Sequence, residues 1–493
     1  MKIVRNSLIK IIQVTDIRNF IPQLLLLCLF IVGFEACRRS LPDPPVPPTL
    51  NSWDNTRDPA VLNYIHAEND YADAYFSGIS DLRSILYTEL TNRDGTGPIN
   101  QVSSKDSLPL ASPDGKYSVF NSRDGKVILR ETFNPELFKI TTYGKEGISI
   151  LRKTAKSEPF DVTIYSDSTK AVYYTVVKKK YLVLFEEKSL KSAVRILDLT
   201  NLFDPSKGNR IGFNDLEGEV VFKGYEENND KVLFLYSSPV TPPTMYTYDL
   251  TTHKLGIRWQ SKINGYVKEN YGTRTILVKA NDGTAIPVSL MYHKDLEKRD
   301  GTSPLLLLPR QHVYIPGKSP FNPAWPSLLD RGFYIAYAPA DADQYLVAAN
   351  KLIADKYTAR GLITGFGTDA ALPIVSDAMN RNASLFKAVV LDLSGSTDGL
   401  GAAQSMSLKK TNQAKIKKQS YPAMLLFTGE GSVNDNAMAE MAARYRNSKT
   451  DGNILVLRTD KATAYDKKNP RDGKYYSVSE KLAFILHVYG IEK

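Results

Sequence analysis

Residues 360–386 contain the pattern with the clearest chemical meaning in the chain. Leu362 and Ile363 lead into Gly367-Thr368-Asp369-Ala370-Ala371, and apolar residues then recur at helical spacing. This pattern predicts a strand, a tight turn and a helix. Small residues two before and two after a central side chain are typical of a nucleophile elbow, whose centre is usually a serine. Here the centre is Asp369.

An aspartate at such a turn has two interpretations. It could be a nucleophile that forms an ester, but hydrolysis of that ester needs a base of near-neutral pKa. Of the five histidines, His312 alone follows an apolar strand at the end where α/β sites form, so Asp369 and His312 are one candidate pair. Alternatively, Asp369 has only a structural role in the turn, because aspartate adopts the left-handed backbone conformation more readily than most residues.

A serine or threonine elsewhere in the chain is a third possibility for the nucleophile. Such a residue would work with a base that the sequence does not reveal. The candidates are Thr368, Ser394, Ser396 and Ser432.

Three kinds of sequence pattern follow one another along the chain. Asp58-Pro59 predicts a helix start, and a second helix from about Ser80 would place Leu82, Ile85, Leu86 and Leu90 on one face. Residues 101–271 read as short antiparallel strands, enough for about four blades at ~40–45 residues per blade, or for an open sheet. From residue 272 strands alternate with helices, which predicts a mostly parallel sheet.

The first 37 residues have the pattern of an export signal. Basic residues precede the apolar stretch 21–34, and Ala36-Cys37 follows it. Cys37 lies where a bacterial lipoprotein carries its lipid, so we expect a signal over 1–36 and acylation of Cys37. The proline-rich segment 37–50 would be an extended tether, and the protein an exported, membrane-anchored lipoprotein.

Composition excludes several classes of function. The chain has 493 residues, of which 42% are hydrophobic, and its net charge of +10 is scattered, so we expect solvated basic faces and no nucleic-acid partner. Cys28 and Cys37 are the only cysteines, which leaves no disulfide framework in the mature chain. Asp341 and Asp343 lack further spaced ligands, so we expect no metal and no cofactor.

Five segments of the sequence resemble the prolyl oligopeptidase and oligopeptidase B family of serine peptidases. They are DPAVLNYIHAENDYADAYFSGISDLRSILYTELTNR, YSSPVTPPTMYTYDLTTHK, VSLMYHK, SLLDRGF and LFKAVV. The resemblance implies an α/β fold: an α/β-hydrolase domain over 272–493, amino-terminal helices over 51–100 and a reduced β-propeller-like domain over 101–271.

The resemblance also implies where the family's catalytic groups would fall. The nucleophile, acid and histidine positions are occupied by Asp369, Ser432 and Tyr465, and the oxyanion tyrosine position by Gln311. We therefore predict a catalytically inactive family member of the cell envelope that binds a peptide or protein partner in the cleft between its domains. The alternative is an active hydrolase of short peptides or esters that uses a displaced nucleophile or the Asp369–His312 pair.

Overall fold

The structure is a computed structural model that describes most of the chain after residue 40. The described residues are 41–49, 53, 58–93, 119–121, 138–142, 148–152, 162–167, 170–177, 181–188, 190–198, 208–226, 228, 230–280, 283–310, 320–394, 416–429, 435–460 and 470–493. The predicted signal and Cys37 lie outside them. None of the helices in these ranges is long and apolar enough to cross a membrane.

Two helices precede the strands, α1 (Pro59–Gly78) and α2 (Ser80–Arg93). The predicted start of α1 is confirmed, because Asp58 accepts a hydrogen bond from the backbone N–H of Ala60 at 2.8 Å. The predicted apolar face of α2 is only partly right. Its three leucines are buried at intervals of four residues, but Ile85 is 40% exposed. At 3.6 residues per turn, Ile85 lies about 100° from the middle of the leucine stripe.

After these helices, the described strands form three antiparallel sheets, called the β-domain below. The strands are β1 (Val119–Asn121), β2 (Phe138–Thr142), β3 (Ile148–Arg152), β4 (Val162–Asp167), β5 (Lys170–Val177), β6 (Tyr181–Lys188), β7 (Lys191–Asp198), β8 (Asn209–Gly212), β9 (Glu219–Glu226), β10 (Lys231–Ser238), β11 (Thr241–Asp249) and β12 (Leu255–Gln260). Their orders are β2-β3-β4, β1-β5-β6-β7-β8 and β12-β11-β10-β9. The last sheet is a four-stranded meander of the kind found in propeller blades.

The carboxyl-terminal domain contains one eight-stranded sheet. Its elements are β13 (Tyr271–Lys279), β14 (Ala285–His293), β15 (Leu305–Pro309), α3 (Pro326–Leu329), β16 (Tyr334–Ala338), α4 (Ala342–Ala354), β17 (Ile363–Thr368), α5 (Leu372–Arg381), β18 (Phe386–Asp392), β19 (Ala423–Gly429), α6 (Asp435–Ser448), β20 (Leu455–Asp460) and α7 (Pro470–Val488). The strand order is β13-β14-β16-β15-β17-β18-β19-β20. The strands β15 to β20 are parallel, as predicted, and β13 and β14 are antiparallel.

Both faces of this sheet are covered, which explains the uninterrupted leucines of β15. Leu305 and Leu307 belong to a core with α4, α5 and α6, whereas Leu306 and Leu308 belong to a core with α2, α3 and α7. A parallel strand between two helical layers buries every side chain, so its sequence shows no alternation.

Side chains of α1 bind the end of the sheet farthest from β13. Glu68 is fully buried and accepts two hydrogen bonds from Arg446 of α6, at 2.6 and 2.7 Å. Asn69 donates to the Thr459 hydroxyl at 2.6 Å and accepts from the Thr459 backbone N–H at 3.1 Å. A buried carboxylate and a buried amide are stable only with such partners. These contacts give a structural reason for the Glu-Asn pair in the amino-terminal segment.

The SLLDRGF segment holds α2 in the same way. Glu89 accepts hydrogen bonds from Arg331 at 2.7 Å and from the Ser327 hydroxyl at 2.6 Å, and Arg93 donates to the same hydroxyl at 2.6 Å. Burial alone would raise the pKa of Glu89, but the hydrogen bonds from Arg331 and Ser327 hold it below its ordinary value. This segment therefore docks the helices onto the sheet.

Candidate functional site

The strand order creates a crevice between the carboxyl ends of β15 and β17. The chain leaves β15 toward β16 on one side, and it leaves β17 toward β18 on the other side. Such a reversal between neighbouring parallel strands is the usual ligand-binding place in open α/β sheets. Arg310 follows β15 and Asp369 follows β17, so the elbow lies at this switch point.

The turn after β17 has the geometry predicted from its sequence. The strand ends at Thr368, residues Asp369–Ala371 form a single 3-10 turn, and α5 follows directly. Asp369 has a φ of 46°, in the left-handed region. Aspartate is one of the few residues other than glycine that adopt this conformation readily. The elbow is thus formed with a carboxylate at its centre.

Two glycines in β17 allow α5 to pack closely behind the elbow. A Cβ added to Gly367 would lie 2.9 Å from the Cα of Leu372 and 3.0 Å from Cγ2 of Val375. A Cβ added to Gly365 would lie 2.9 Å from Cγ1 of Val375. Real Cβ atoms do not approach other atoms this closely, so both positions require glycine for packing alone.

Four of the candidate positions lie outside the described residues. The segments that contain them follow β15, β19 and β20, and these strands end at the same edge of the sheet as β17. The three described strands that precede these four positions therefore end at the edge that carries Asp369. The positions are Gln311, His312, Ser432 and Tyr465, and Ser396 also lies outside the described residues.

Ser394 is described, and it belongs to a buried polar cluster at the end of β18. Its hydroxyl and its backbone N–H donate to one oxygen of Asp392, at 2.6 and 2.9 Å. Lys481 of α7 donates to the other oxygen of Asp392 at 2.6 Å and to the Ser394 hydroxyl at 3.2 Å. The ammonium group also lies 4.0 Å from the centre of the Phe427 ring. The nearest contact of Lys481 is thus its charge-assisted hydrogen bond with Asp392, and its contact with the Ser394 hydroxyl is longer.

Sequence reasoning identified Ser394 as a candidate but missed both of its partners. The available signal was a lysine within the apolar stretch of the last helix, where a buried charge requires a partner. Nothing local in the sequence points from Lys481 to Asp392, because the two residues are 89 positions apart.

Comparisons with known proteins show what this chain is similar to. No family model matches the chain. Dipeptidyl aminopeptidase BI from Pseudoxanthomonas mexicana is 26% identical to it over 320 residues, which are 54% of this chain and 43% of that protein. The chain thus spans less than half the length of this relative.

Solved structures share the fold of this chain. Oligopeptidase B from Leishmania major matches with a TM-score of 0.60 at 14% identity, over 89% of this chain and 93% of that one. Prolyl oligopeptidase B from Galerina marginata matches with a TM-score of 0.58 at 17% identity, over 77% of this chain and 64% of that one. The chain is thus similar to proteins of the prolyl oligopeptidase and oligopeptidase B family. Its predicted fold class, an α/β-hydrolase domain with a propeller-like β-domain, is confirmed.

The four described histidines have other surroundings. His66 lies on α1, and His253 contacts the Asn209 amide at 2.9 Å in a turn of the β-domain. His293 ends β14, which runs antiparallel to β16, so it lies at the opposite edge of the sheet. His487 packs edge-on against Tyr75 at 5.9 Å. None of these four supplies a base beside Asp369.

The two acidic residues after β16 also have structural partners. Asp341 caps α4 by accepting a hydrogen bond from the backbone N–H of Gln344 at 3.0 Å, and Asp343 pairs with Arg381. Within the described part of the chain, no group of three or more His, Cys, Asp and Glu residues could hold a metal ion.

Proposed function

We propose that this chain is a non-catalytic member of the prolyl oligopeptidase family that binds a peptide or a protein partner in the cleft between its two domains. The observation that carries the proposal is Asp369, which occupies a well-formed left-handed elbow where the family resemblance implies a serine. Ester formation on Asp369 would be unproductive without a base of near-neutral pKa. The aligned acid and histidine positions hold Ser432 and Tyr465, and neither residue is such a base.

The retained elbow is consistent with loss of chemistry. Gly365 and Gly367 are required by the close approach of α5, whatever residue stands at the centre of the turn. Residues that pack the scaffold stabilise the fold, whereas a catalytic side chain usually does not. A family member that no longer cleaves peptides would therefore keep its glycines and lose its serine. This is the combination present here.

The same proposal places the protein at the cell envelope. Residues 1–36 would direct export, and a lipid on Cys37 would anchor the mature chain to a membrane. The proline-rich segment 37–50 would act as a spacer. The partner would then be a peptide or protein outside the cytoplasm, and no nucleic acid or cofactor is involved.

A second candidate function is hydrolysis of short peptides or esters by a displaced nucleophile. The observation that favours it is the 3.2 Å contact between the Ser394 hydroxyl and the Lys481 ammonium, near the carboxyl edge of the sheet. For this serine to attack a carbonyl, Lys481 would have to lose its proton and its ion pair with Asp392. The Asp369–His312 pair is the other form of this alternative.

Binding without turnover is the expected result when the purified protein meets short fluorescein-labelled peptides that contain proline. Fluorescence anisotropy should rise to saturation, and mass spectrometry should recover the peptides intact after long incubation. Peptides of equal length and charge without proline are the control for selectivity. Cleavage that a single Ser or Thr substitution removes would overturn the proposal in favour of the second candidate. An absence of saturable binding would contradict the proposal that the chain binds such peptides.

A further inference from the structure

Residues 215–218, between β8 and β9, connect the β-domain to the carboxyl-terminal sheet. On the β-domain side, Asp215 accepts hydrogen bonds from the hydroxyls of Ser238 and Thr241, and it pairs with Lys268 at 3.2 Å. Burial would raise the pKa of Asp215, but the hydrogen bond from Thr241 and the charge of Lys268 hold it below its ordinary value. The segment is thus anchored to the turn between β10 and β11.

The backbone of the same segment fits closely between its neighbours. Glu217 has a φ of 55°, and its N–H donates to the carbonyl of Leu190 at 2.8 Å. A Cβ on Gly218 would lie 2.8 Å from the ring of Tyr236, so this position needs glycine. These contacts fix the direction in which the Glu217 side chain leaves the β-domain.

Glu217 reaches the carboxyl-terminal sheet and binds two of its residues. Its Oε1 accepts a hydrogen bond from the Ser289 hydroxyl at 2.6 Å and another from Nε of Arg310 at 2.7 Å. The Arg310 side chain is only 7% exposed, and that of Glu217 is 18% exposed. A guanidinium group buried to this degree depends on a nearby carboxylate.

Arg310 occupies a gap at the edge of the sheet. β14 and β16 pair from Met291 to Ser289 and then separate. Where they separate, Nη2 of Arg310 lies between the two strands. It donates to the carbonyls of Pro287 at 3.0 Å and Tyr337 at 3.3 Å. Arg310 therefore ties β14 and β16 together at the switch point, and Glu217 supplies its counter-charge from the other domain.

We propose that Glu217 is an interdomain pin: through Arg310 it fixes the β-domain to the amino-terminal part of β14 and to the carboxyl ends of β15 and β16, so that the switch-point edge is ordered only when the β-domain is in place. The pin goes beyond peptide binding, and it holds whether or not the cleft has a peptide ligand. As a consequence, separation of the two domains and loosening of the switch-point edge should occur together.

Hydrogen exchange measured by mass spectrometry on the full protein tests the pin with Glu217→Gln, which keeps the shape and removes the charge. We expect amides in 214–218 and in the ends of β15 and β16 to exchange faster together, by about tenfold or more. Glu226→Gln is the matched control, because Glu226 pairs with Arg258 on the exposed surface of the β-domain. This control should leave exchange in β15 and β16 unchanged.

Faster exchange confined to 214–218, or an equal effect of Glu226→Gln, would overturn the pin. Repeating Glu217→Gln in an Arg310→Met background gives a second reading. The charge change should then add little, because its partner is absent. If the effects of Glu217→Gln and Arg310→Met on exchange simply add, the pin is also overturned. If the Arg310→Met protein does not fold, the comparison of Glu217→Gln with Glu226→Gln decides alone.

Discussion

Replacement of Arg446 by methionine is expected to lower the free energy of unfolding by about 3–5 kcal/mol. Arg446 is the partner of Glu68, whose side chain has no exposed surface. Burial would lower the pKa of Arg446, but the hydrogen bonds and charge of the Glu68 carboxylate raise it above its ordinary value, so Arg446 is charged. Removal of the cation leaves a buried carboxylate without its counter-charge. Chemical denaturation followed by circular dichroism measures the loss.

Arg258→Met is the matched control for this experiment. Arg258 pairs with Glu226 in the β-domain, and the two side chains are 51% and 32% exposed. An exposed pair of this kind contributes about 0.2–1 kcal/mol. The double variant Glu68→Met with Arg446→Met should be more stable than Arg446→Met alone, since it leaves no unpaired charge. Equal losses for Arg258→Met and Arg446→Met would show that the ion pair does not hold α1 to the sheet.

Gly367→Ala is expected to destabilise the protein by about 1–3 kcal/mol, the usual effect of forcing an extra carbon into a packed interior. The new methyl group would meet the Cα of Leu372, which belongs to backbone and cannot rotate away. Thermal unfolding and denaturant titration both measure this change.

Gly452→Ala provides the comparison. Gly452 has open space at the Cβ position and does not have a left-handed backbone, so its replacement should change stability by less than about 0.5 kcal/mol. If Gly367→Ala were equally harmless, α5 could not be packed against β17 as described, and the structural reason for the retained glycines would fail.

Local sequence signals predicted the parts of the fold that depend on neighbouring residues. The cap at Asp58, the leucines of β15 and the turn at Asp369 follow from side-chain type and short-range spacing, and the structure contains all three. The wrong assignment of Ile85 to the buried face of α2 has a related cause. Its type fits an apolar stripe, but its angular position on the helix does not.

Contacts between distant residues could not be predicted in this way. Glu68 and Arg446 are 378 positions apart, and Glu217 and Arg310 are 93 positions apart. Each of these residues is an ordinary charged side chain in its own segment, and only the fold gives it a buried partner. The same holds for Lys481 and Asp392. The sequence therefore located the elbow, but not the ion pairs that hold the surrounding elements in position.

Labelling of the purified protein with a fluorophosphonate probe tests whether the chain is catalytic, because the probe reacts with an activated serine hydroxyl. We expect no labelling above that of heat-unfolded protein, alongside strong labelling of an active serine peptidase in the same reaction. The Ser394→Ala variant should give the same result as the unmodified protein. Labelling of the folded protein that Ser394→Ala, or any other single Ser or Thr substitution, abolishes would contradict the proposal that this chain is non-catalytic.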